Sequence, residues 1–379
     1  MAEITAITMP KWGLTMTEGK ILGWLKGEGD AYRAGEELLE IETSKITNVF
    51  EASEAGRLRR IVAAAETILP IGALLAVSAP DSVPDAAIDA FVAGFVAPEP
   101  AAAEAAEDPA LAPRDIEAGG KRLRVLDLGG GDIGPGATPV VLVHGFGADL
   151  NTWMFNQPAL AETRRAVALD LPGHGGSTKA LDKAVDAASL AADIDRALGM
   201  LDIERLHLVG HSMGGAIALS FAHWQPDRVA SLTLIASAQL GPEINADFIA
   251  GFVRATRRRE MQEVLTLLVH DPALVSRAMV EDVLRYKRLD GVATALDRLA
   301  QEWFPNGVQR VGNTKIAANL GVPVQLIWGR DDRIIPLAHA EALAGRIPVH
   351  IIEAAGHLPH MEKSGEVNRL IARFIAAQD

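Results

Sequence analysis

At 379 residues, 49% of them hydrophobic and 22% charged, the chain has an ordinary globular composition and enough length for two or three domains. A net charge of −13 argues against nucleic acid or an anionic membrane surface as the main partner. There are no cysteines, which excludes disulfides, thiolate metal sites and cysteine nucleophiles, so any redox-active sulfur has to come from an attached group.

The first ten residues carry no basic region and no long apolar core, so no secretory signal is expected. No stretch approaches the roughly 18 apolar residues of a membrane span, and the expected address is the cytoplasm. From Ile4 to Ser78 short β-rich runs alternate with turns at Gly13, Gly19, Gly27, Gly29, Gly35, Gly56 and Gly72. Gly35-x-x-Leu38 recurs as Gly72-x-x-Leu75, the pattern of a small sandwich with two related halves. A first domain over 1–79 follows.

The stretch 80–113 reads as a linker. From Ala97 to Pro113 every residue but Leu111 is Ala, Pro, Glu or Asp. Such a segment buries too little apolar area to offset its ordering entropy, and its 17 residues span on the order of 50 Å when extended. Within it, Ile88, Phe91, Val92 and Phe95 fall at helical spacing over 85–96. That helix either packs on its own domain or docks a partner.

From 114 to 379, β-rich runs at 139–143, 165–169, 206–209, 229–235, 322–328 and 349–352 alternate with helix-period segments such as 190–201 and 216–224. Strand–helix alternation predicts a mostly parallel sheet covered on both faces. The segment 241–319 interrupts it with helical, charged sequence, the size of a cap over a site. Phe248, Phe252 and Trp303 in that cap either face a pocket or pack internally.

One turn in this region carries chemistry. The strand at 206–209 runs into Gly210-His211-Ser212-Met213-Gly214-Gly215 and then directly into a helix. This places Ser212 on a tight strand-to-helix turn, with the positive end of the helix dipole behind its hydroxyl. A serine nucleophile needs a base, and the base needs an orienting carboxylate. Downstream, Gly329-Arg330-Asp331-Asp332 and Gly356-His357-Leu358-Pro359-His360 both follow strands, on the edge of the sheet where Ser212 sits. His357 is preferred over His360 as base, and Asp332 over Asp331 as its partner from its spacing to Gly329 and Pro336. His207, His223 and His339 lie within a strand or helices and read as structural. The backbone N–H of Met213 and that of Phe146, in His144-Gly145-Phe146-Gly147, would form an oxyanion hole.

These motifs, with Asp170-Leu171-Pro172-Gly173-His174-Gly175-Gly176-Ser177, resemble the α/β-hydrolase family over 121–377. The resemblance implies attack by Ser212, proton relay through His357 and support from Asp332. The N-terminal zone resembles lipoyl domains throughout, and Glu42-Thr43-Ser44-Lys45-Ile46 sets Lys45 at the position such domains present for lipoylation, with Ser44 where an aspartate is usual. A biotinyl domain flanks its lysine with methionines, and Ser44 and Ile46 differ from that. The fold class expected is therefore multidomain: a small all-β lipoyl/biotinyl-type sandwich, then an α/β-hydrolase fold with a helical cap.

The order lipoyl domain, linker, hydrolase-fold domain resembles the acyltransferase components of acetoin dehydrogenase complexes. It implies lipoate covalently attached to Lys45, coenzyme A as acyl acceptor, and two partners: a thiamine-diphosphate-dependent acetoin dehydrogenase component and a dihydrolipoamide dehydrogenase. It also implies a homo-oligomer or complex member. The His-x-x-x-Asp-Gly motif of 2-oxoacid dehydrogenase acyltransferases is absent, which leaves Ser212 to carry the acyl group. No peripheral-subunit-binding domain is evident in 81–113. The alternative reading is an esterase or carbon–carbon bond hydrolase bearing a separate lipoyl domain. A third makes the chain a carrier scaffold.

Overall fold

A computed structural model describes residues 4–10, 18–42, 47–52, 54–95, 112–129, 137–310 and 313–379. Lys45 and the Ala/Pro-rich linker over 96–111 lie outside the described residues. The chain divides into two compact units, Met1–Pro109 and Ala110–Asp379.

In the first unit, β1 (Thr5–Thr8), β2 (Glu18–Trp24), β3 (Ala31–Tyr32), β4 (Glu37–Glu42), β5 (Thr47–Glu51), β6 (Gly56–Ile61), β7 (Ile68–Pro70) and β8 (Leu74–Ser78) form two four-stranded sheets. Their orders are β1-β8-β6-β3 and β5-β4-β2-β7, with antiparallel pairing throughout. Alternation fills the space between them: Leu38 and Ile41 from β4 meet Leu58 and Leu75 in one apolar cluster. The Gly-x-x-Leu repeat has a physical basis. Gly35 and Gly72 both take positive φ (82° and 78°), turning the chain so that Leu38 and Leu75 enter the core.

Helix α1 (Asp85–Gly94) packs on this unit. Ile88 is fully buried against Val77, Ala79 and Val83, and Arg59 and Arg60 pair with Asp85 and Asp89. The helix ends at Gly94, since its capping residue Phe95 is extended.

The second unit is built on eight strands. These are β9 (Arg114–Ala118), β10 (Lys121–Leu128), β11 (Val140–Val143), β12 (Ala166–Leu169), β13 (Leu206–His211), β14 (Val229–Ile235), β15 (Val324–Gly329) and β16 (Val349–Ile352). Their order is β16-β15-β14-β13-β11-β12-β10-β9, parallel except where β10 pairs with β9 and β12. The β9–β10 hairpin is not among the strands read from the sequence. It alternates polar and apolar residues at a sheet edge, without the continuous apolar run of a central strand.

Helices α2 (Gln157–Ala161), α3 (Ala187–Met200) and α4 (Met213–Trp224) lie between the early strands. Between β14 and β15 come α5 (Ala246–Arg254), α6 (Arg258–Leu265), α7 (Arg277–Lys287), α8 (Val292–Trp303) and α9 (Asn313–Ala318). Only α5 to α8 pack on one another as a cap. The last, α9, packs on α4 and belongs to the layer flanking the sheet. Helices α10 (Ala338–Glu341), α11 (Pro359–Glu362) and α12 (Ser364–Ala376) complete the unit.

Candidate active site

Because β11 and β13 to β16 run parallel, the loops leaving them gather at one edge of the sheet. Ser212 joins β13 to α4 with φ 52° and ψ −119°, a conformation that costs an L-residue about 1–3 kcal/mol. The surroundings hold it there. Its N–H donates to the Ile235 carbonyl at 2.9 Å, and its own carbonyl accepts from Gly215 and Ala238, each at 2.9 Å. The flanking glycines are sterically required. A Cβ on Gly210 would meet the Gly214 carbonyl at 2.4 Å, and one on Gly214 would meet the Val143 carbonyl at 2.3 Å. Tight contact of the turn with the end of β11 brings the Gly145 loop beside it; a Cβ on Gly145 would lie 3.0 Å from the Ser212 Cβ. The serine itself is only 8% exposed.

Asp332 and His357 meet after β15 and β16. His357 Nδ1 donates to Asp332 Oδ2 at 2.9 Å, and both side chains are shielded from solvent. The other carboxylate oxygen, Oδ1, accepts the N–H groups of Ile334 (2.8 Å) and Ile335 (2.9 Å), which fixes the carboxylate's orientation. Asp331 points elsewhere and pairs with His270 at 2.8 Å on the surface. His360 is buried against Trp153, with Nε2 3.1 Å from Thr152 Oγ1, and burial pushes it down to about 3. It is thus held as a neutral packing group.

Phe146 leaves β11 and Met213 opens α4, and among the described residues neither backbone N–H has a hydrogen-bond acceptor. The Phe146 ring packs edge-on against Phe252 of α5 and against Phe304, just past α8, both at 5.8 Å between centroids. The cap aromatics therefore sit on this loop. Phe248 packs against Phe252 at 5.9 Å, and Trp303 is anchored by a hydrogen bond from its indole to the Val185 carbonyl, so both act as core.

Supporting residues emerge that sequence reasoning did not single out. His211, the residue before Ser212, donates from Nε2 to the His357 carbonyl at 2.9 Å, with its ring between those of His357 (4.8 Å) and His360 (4.5 Å). Burial holds its pKa well below the usual histidine range. Buried Glu362 bridges two loops, accepting from the Gly356 N–H (2.8 Å) and the His270 N–H (2.7 Å). His357 N–H donates to the Leu268 carbonyl at 2.7 Å, and the Arg333 guanidinium reaches the carbonyls of Thr266 and Val269. Cap segment 266–270 is thus stitched to the loops of both Asp332 and His357. On the far side, Asp170 ties the loop after β12 to the Leu150 and Gly176 N–H groups; burial raises it to about 6. His144, whose Nε2 accepts from the Leu171 N–H at 3.0 Å, is pushed down by burial to about 4.

In the first unit, β4 and β5 pair with Glu42 opposite Thr47, and Lys45 falls between them in the sequence, outside the described residues.

Together the fold and this constellation define an α/β-hydrolase-type protein preceded by a carrier-type β unit. Residues 138–364 match the family described as alpha/beta hydrolase fold, and residues 5–77 match that described as biotin-requiring enzyme. Among solved structures, a meta-cleavage product hydrolase from Pseudomonas fluorescens IP01 superposes with a TM-score of 0.64 at 23% identity, covering 72% of this chain and all of that one, a likeness of fold. The dihydrolipoyllysine-residue acetyltransferase component of the acetoin cleaving system of Pseudomonas putida is 46% identical over 99% of both chains. Its counterpart in Cupriavidus necator is 44% identical over 98% of this chain and 97% of its own. The chain belongs to this family of acetyltransferase components.

Proposed function

We propose that the chain transfers an acetyl group from a lipoyl arm on Lys45 to coenzyme A by way of an ester on Ser212. The observation that carries this is the presence, in one chain, of a lipoyl-type unit and a strained serine turn served by a buried His–Asp pair. Likeness to acetyltransferase components over nearly the whole length supports the same reading.

When attached, lipoate supplies a mobile dithiol that delivers the acetyl group as a thioester. Lys45 lies in the sequence between the paired strands β4 and β5, and the cysteine-free chain has no thiol of its own. Ser212 Oγ attacks the acetyl carbonyl carbon while His357 Nε2 takes its proton. The Phe146 and Met213 N–H groups receive the developing negative charge, each worth about 3 kcal/mol of barrier. His357 Nε2 then returns that proton to the leaving sulfur as the acetyl C–S bond breaks. In the second half, His357 deprotonates the coenzyme A thiol, sulfur attacks the acetyl ester, and Ser212 recovers its proton as acetyl-coenzyme A forms. Asp332 holds His357 with Nδ1–H toward the carboxylate, which leaves Nε2 free to accept.

The carrier unit, which includes α1, is joined to the hydrolase-fold domain, 114–379, through the Ala/Pro-rich stretch of the sequence after α1, and this tether raises the effective concentration of the acyl group there. As a component of an acetoin-cleaving complex, the chain works with a thiamine-diphosphate enzyme that loads the arm and a flavoprotein dehydrogenase that reoxidises it. No helix among the described residues is long and apolar enough to cross a membrane, and the proposed site of action is the cytoplasm.

The test uses full-length lipoylated protein, an acetyl donor and coenzyme A. Ser212→Ala is expected to lower acetyl-coenzyme A formation by at least about 10³-fold. Formation at the wild-type rate would remove Ser212 from the route. Release of free acetate by the wild type, with no acetyl-coenzyme A, would favour the hydrolase reading instead.

A further inference from the structure

The acceptor in this reaction carries several phosphates, and the second unit holds a surface suited to it. A groove of about 560 Å³ runs between α5 and the end of α8, within the roughly 300–1,000 Å³ of small-molecule sites. One wall is an apolar stripe of α5: Ala246, Ile249, Ala250 and Val253, spaced at i, i+3, i+4 and i+7. The other wall includes Phe304. Phe304 also packs against Phe146, so one residue is shared between the groove wall and the packing of the loop after β11.

Arg254 lines the groove, and Arg257, Arg258 and Arg259 follow it within five residues of the chain. Glu260, which accepts the Thr256 and Arg257 N–H groups, stands among them, and Glu281 lies within electrostatic reach of Arg258. Arg259 pairs with Glu263 at 3.1 Å. Arg254, Arg257 and Arg258 are exposed and form no ion pair among the described residues. The opposite wall contributes one carboxylate, Asp297, whose Oδ2 accepts from Gln301 at 2.8 Å. Exposed guanidinium groups at and following the end of a groove with an apolar wall match a ligand with phosphates at one end and a slim amide-and-methyl arm at the other.

We propose that this groove is the coenzyme A site: Arg254, Arg257 and Arg258 take the adenosine 3′-phosphate and diphosphate, and the α5 stripe guides the pantetheine arm toward Phe304 and the oxyanion loop. The proposal rests on the acetyl-transfer reading above.

Two measurements on the full chain test it. First, the KM values for coenzyme A and for pantetheine, which lacks the phosphates, are compared in the wild type and in Arg254→Gln/Arg257→Gln/Arg258→Gln. The triple variant is expected to raise KM for coenzyme A by at least about tenfold and leave that for pantetheine within twofold. Ala250→Trp, which narrows the channel, is expected to raise both. Labelling of Ser212 by a small fluorophosphonate is expected to be unchanged in either variant. Second, adenosine 3′,5′-bisphosphate binding is measured by calorimetry, independently of any acyl chemistry, and is expected to weaken by at least about tenfold in the triple variant and with added salt. Unchanged KM for coenzyme A in the triple variant, or no bisphosphate binding by the wild type, overturns the site even while acetyl-coenzyme A is formed. If the wild type binds bisphosphate through these arginines but never forms acetyl-coenzyme A, the functional reading falls and the site stands.

Discussion

Glu362 offers a quantitative test of how His357, the proposed base, is held in place. Its carboxylate is 6% exposed and accepts two backbone N–H groups, one from Gly356, next to His357, and one from His270 of the cap. Each hydrogen bond to a charged acceptor contributes about 1.5–3 kcal/mol, so Glu362→Ala removes roughly 3–6 kcal/mol and leaves two buried donors unpaired. Against a typical domain stability of about 5–15 kcal/mol, that variant is close to unfolding. Glu362→Gln keeps the volume and one acceptor but turns an amide N–H₂ toward the other donor. The expected loss is about 2–3 kcal/mol, measurable by urea unfolding. Because Gly356 fixes the start of the His357 loop, acetyl transfer per folded molecule is expected to fall at least tenfold through kcat, with KM for coenzyme A unchanged. If Glu362→Gln loses stability yet keeps kcat within twofold, the residue supports the fold without positioning the base, and the reasoning fails.

Asp332→Asn is expected to lower kcat by about 10³–10⁴-fold with little change in stability. The Ile334 and Ile335 N–H groups at Oδ1 force the amide oxygen into that position, which turns N–H₂ toward His357 Nδ1 and selects the tautomer whose Nε2 already bears hydrogen. Wild-type turnover would refute this. Acid sensitivity follows from the buried imidazoles. His144 and His360, held down to about 4 and about 3, stay neutral in the fold but protonate near 6.5 once unfolded, so their stabilisation is complete above that pH and lost as pH falls. By pH 4.5 they cost roughly 5 kcal/mol, while Asp170, raised to about 6, returns roughly 2 kcal/mol because its fold favours the protonated acid. The urea midpoint is expected to drop between pH 7.5 and 4.5, and less so in His360→Gln; equal midpoints would contradict the account.

What was legible in the sequence was local. The Gly210–Gly215 turn, the glycines preceding Leu38 and Leu75, and the apolar runs of β11 to β16 all encode backbone constraints within a few residues. Asp332 stood out from Asp331 by spacing alone, and the fold gives the reason: Asp331 is drawn outward by His270, a partner more than sixty residues away. Glu362, His211 and Asp170 act across the fold, each joining segments far apart in the chain, and no short-range pattern marks such a partner. The β9–β10 hairpin escaped because its alternation reflects an edge exposed on one side. The cap boundary was too wide for a similar reason, since α9 is helical like its neighbours and only its contact with α4 assigns it to the sheet layer.

The cap meets the active site in two physically different ways. On the side of segment 266–270 the contacts are directional hydrogen bonds, from His357, His270 and Arg333, and displacing that segment would pull the acid and base loops apart. On the side of α5 and Phe304 the contact with the oxyanion loop is ring against ring, at 5.8 Å and without a fixed hydrogen-bond geometry. Apolar contacts tolerate sliding that hydrogen bonds do not. The α5 end is itself held by Lys287, whose Nζ donates to the Phe252, Val253 and Ala255 carbonyls, and none of these contacts involves the Asp332–His357 pair. That is the side on which the α5 groove lies, so the proposed acceptor site and the pairing of Asp332 with His357 draw on separate sets of contacts.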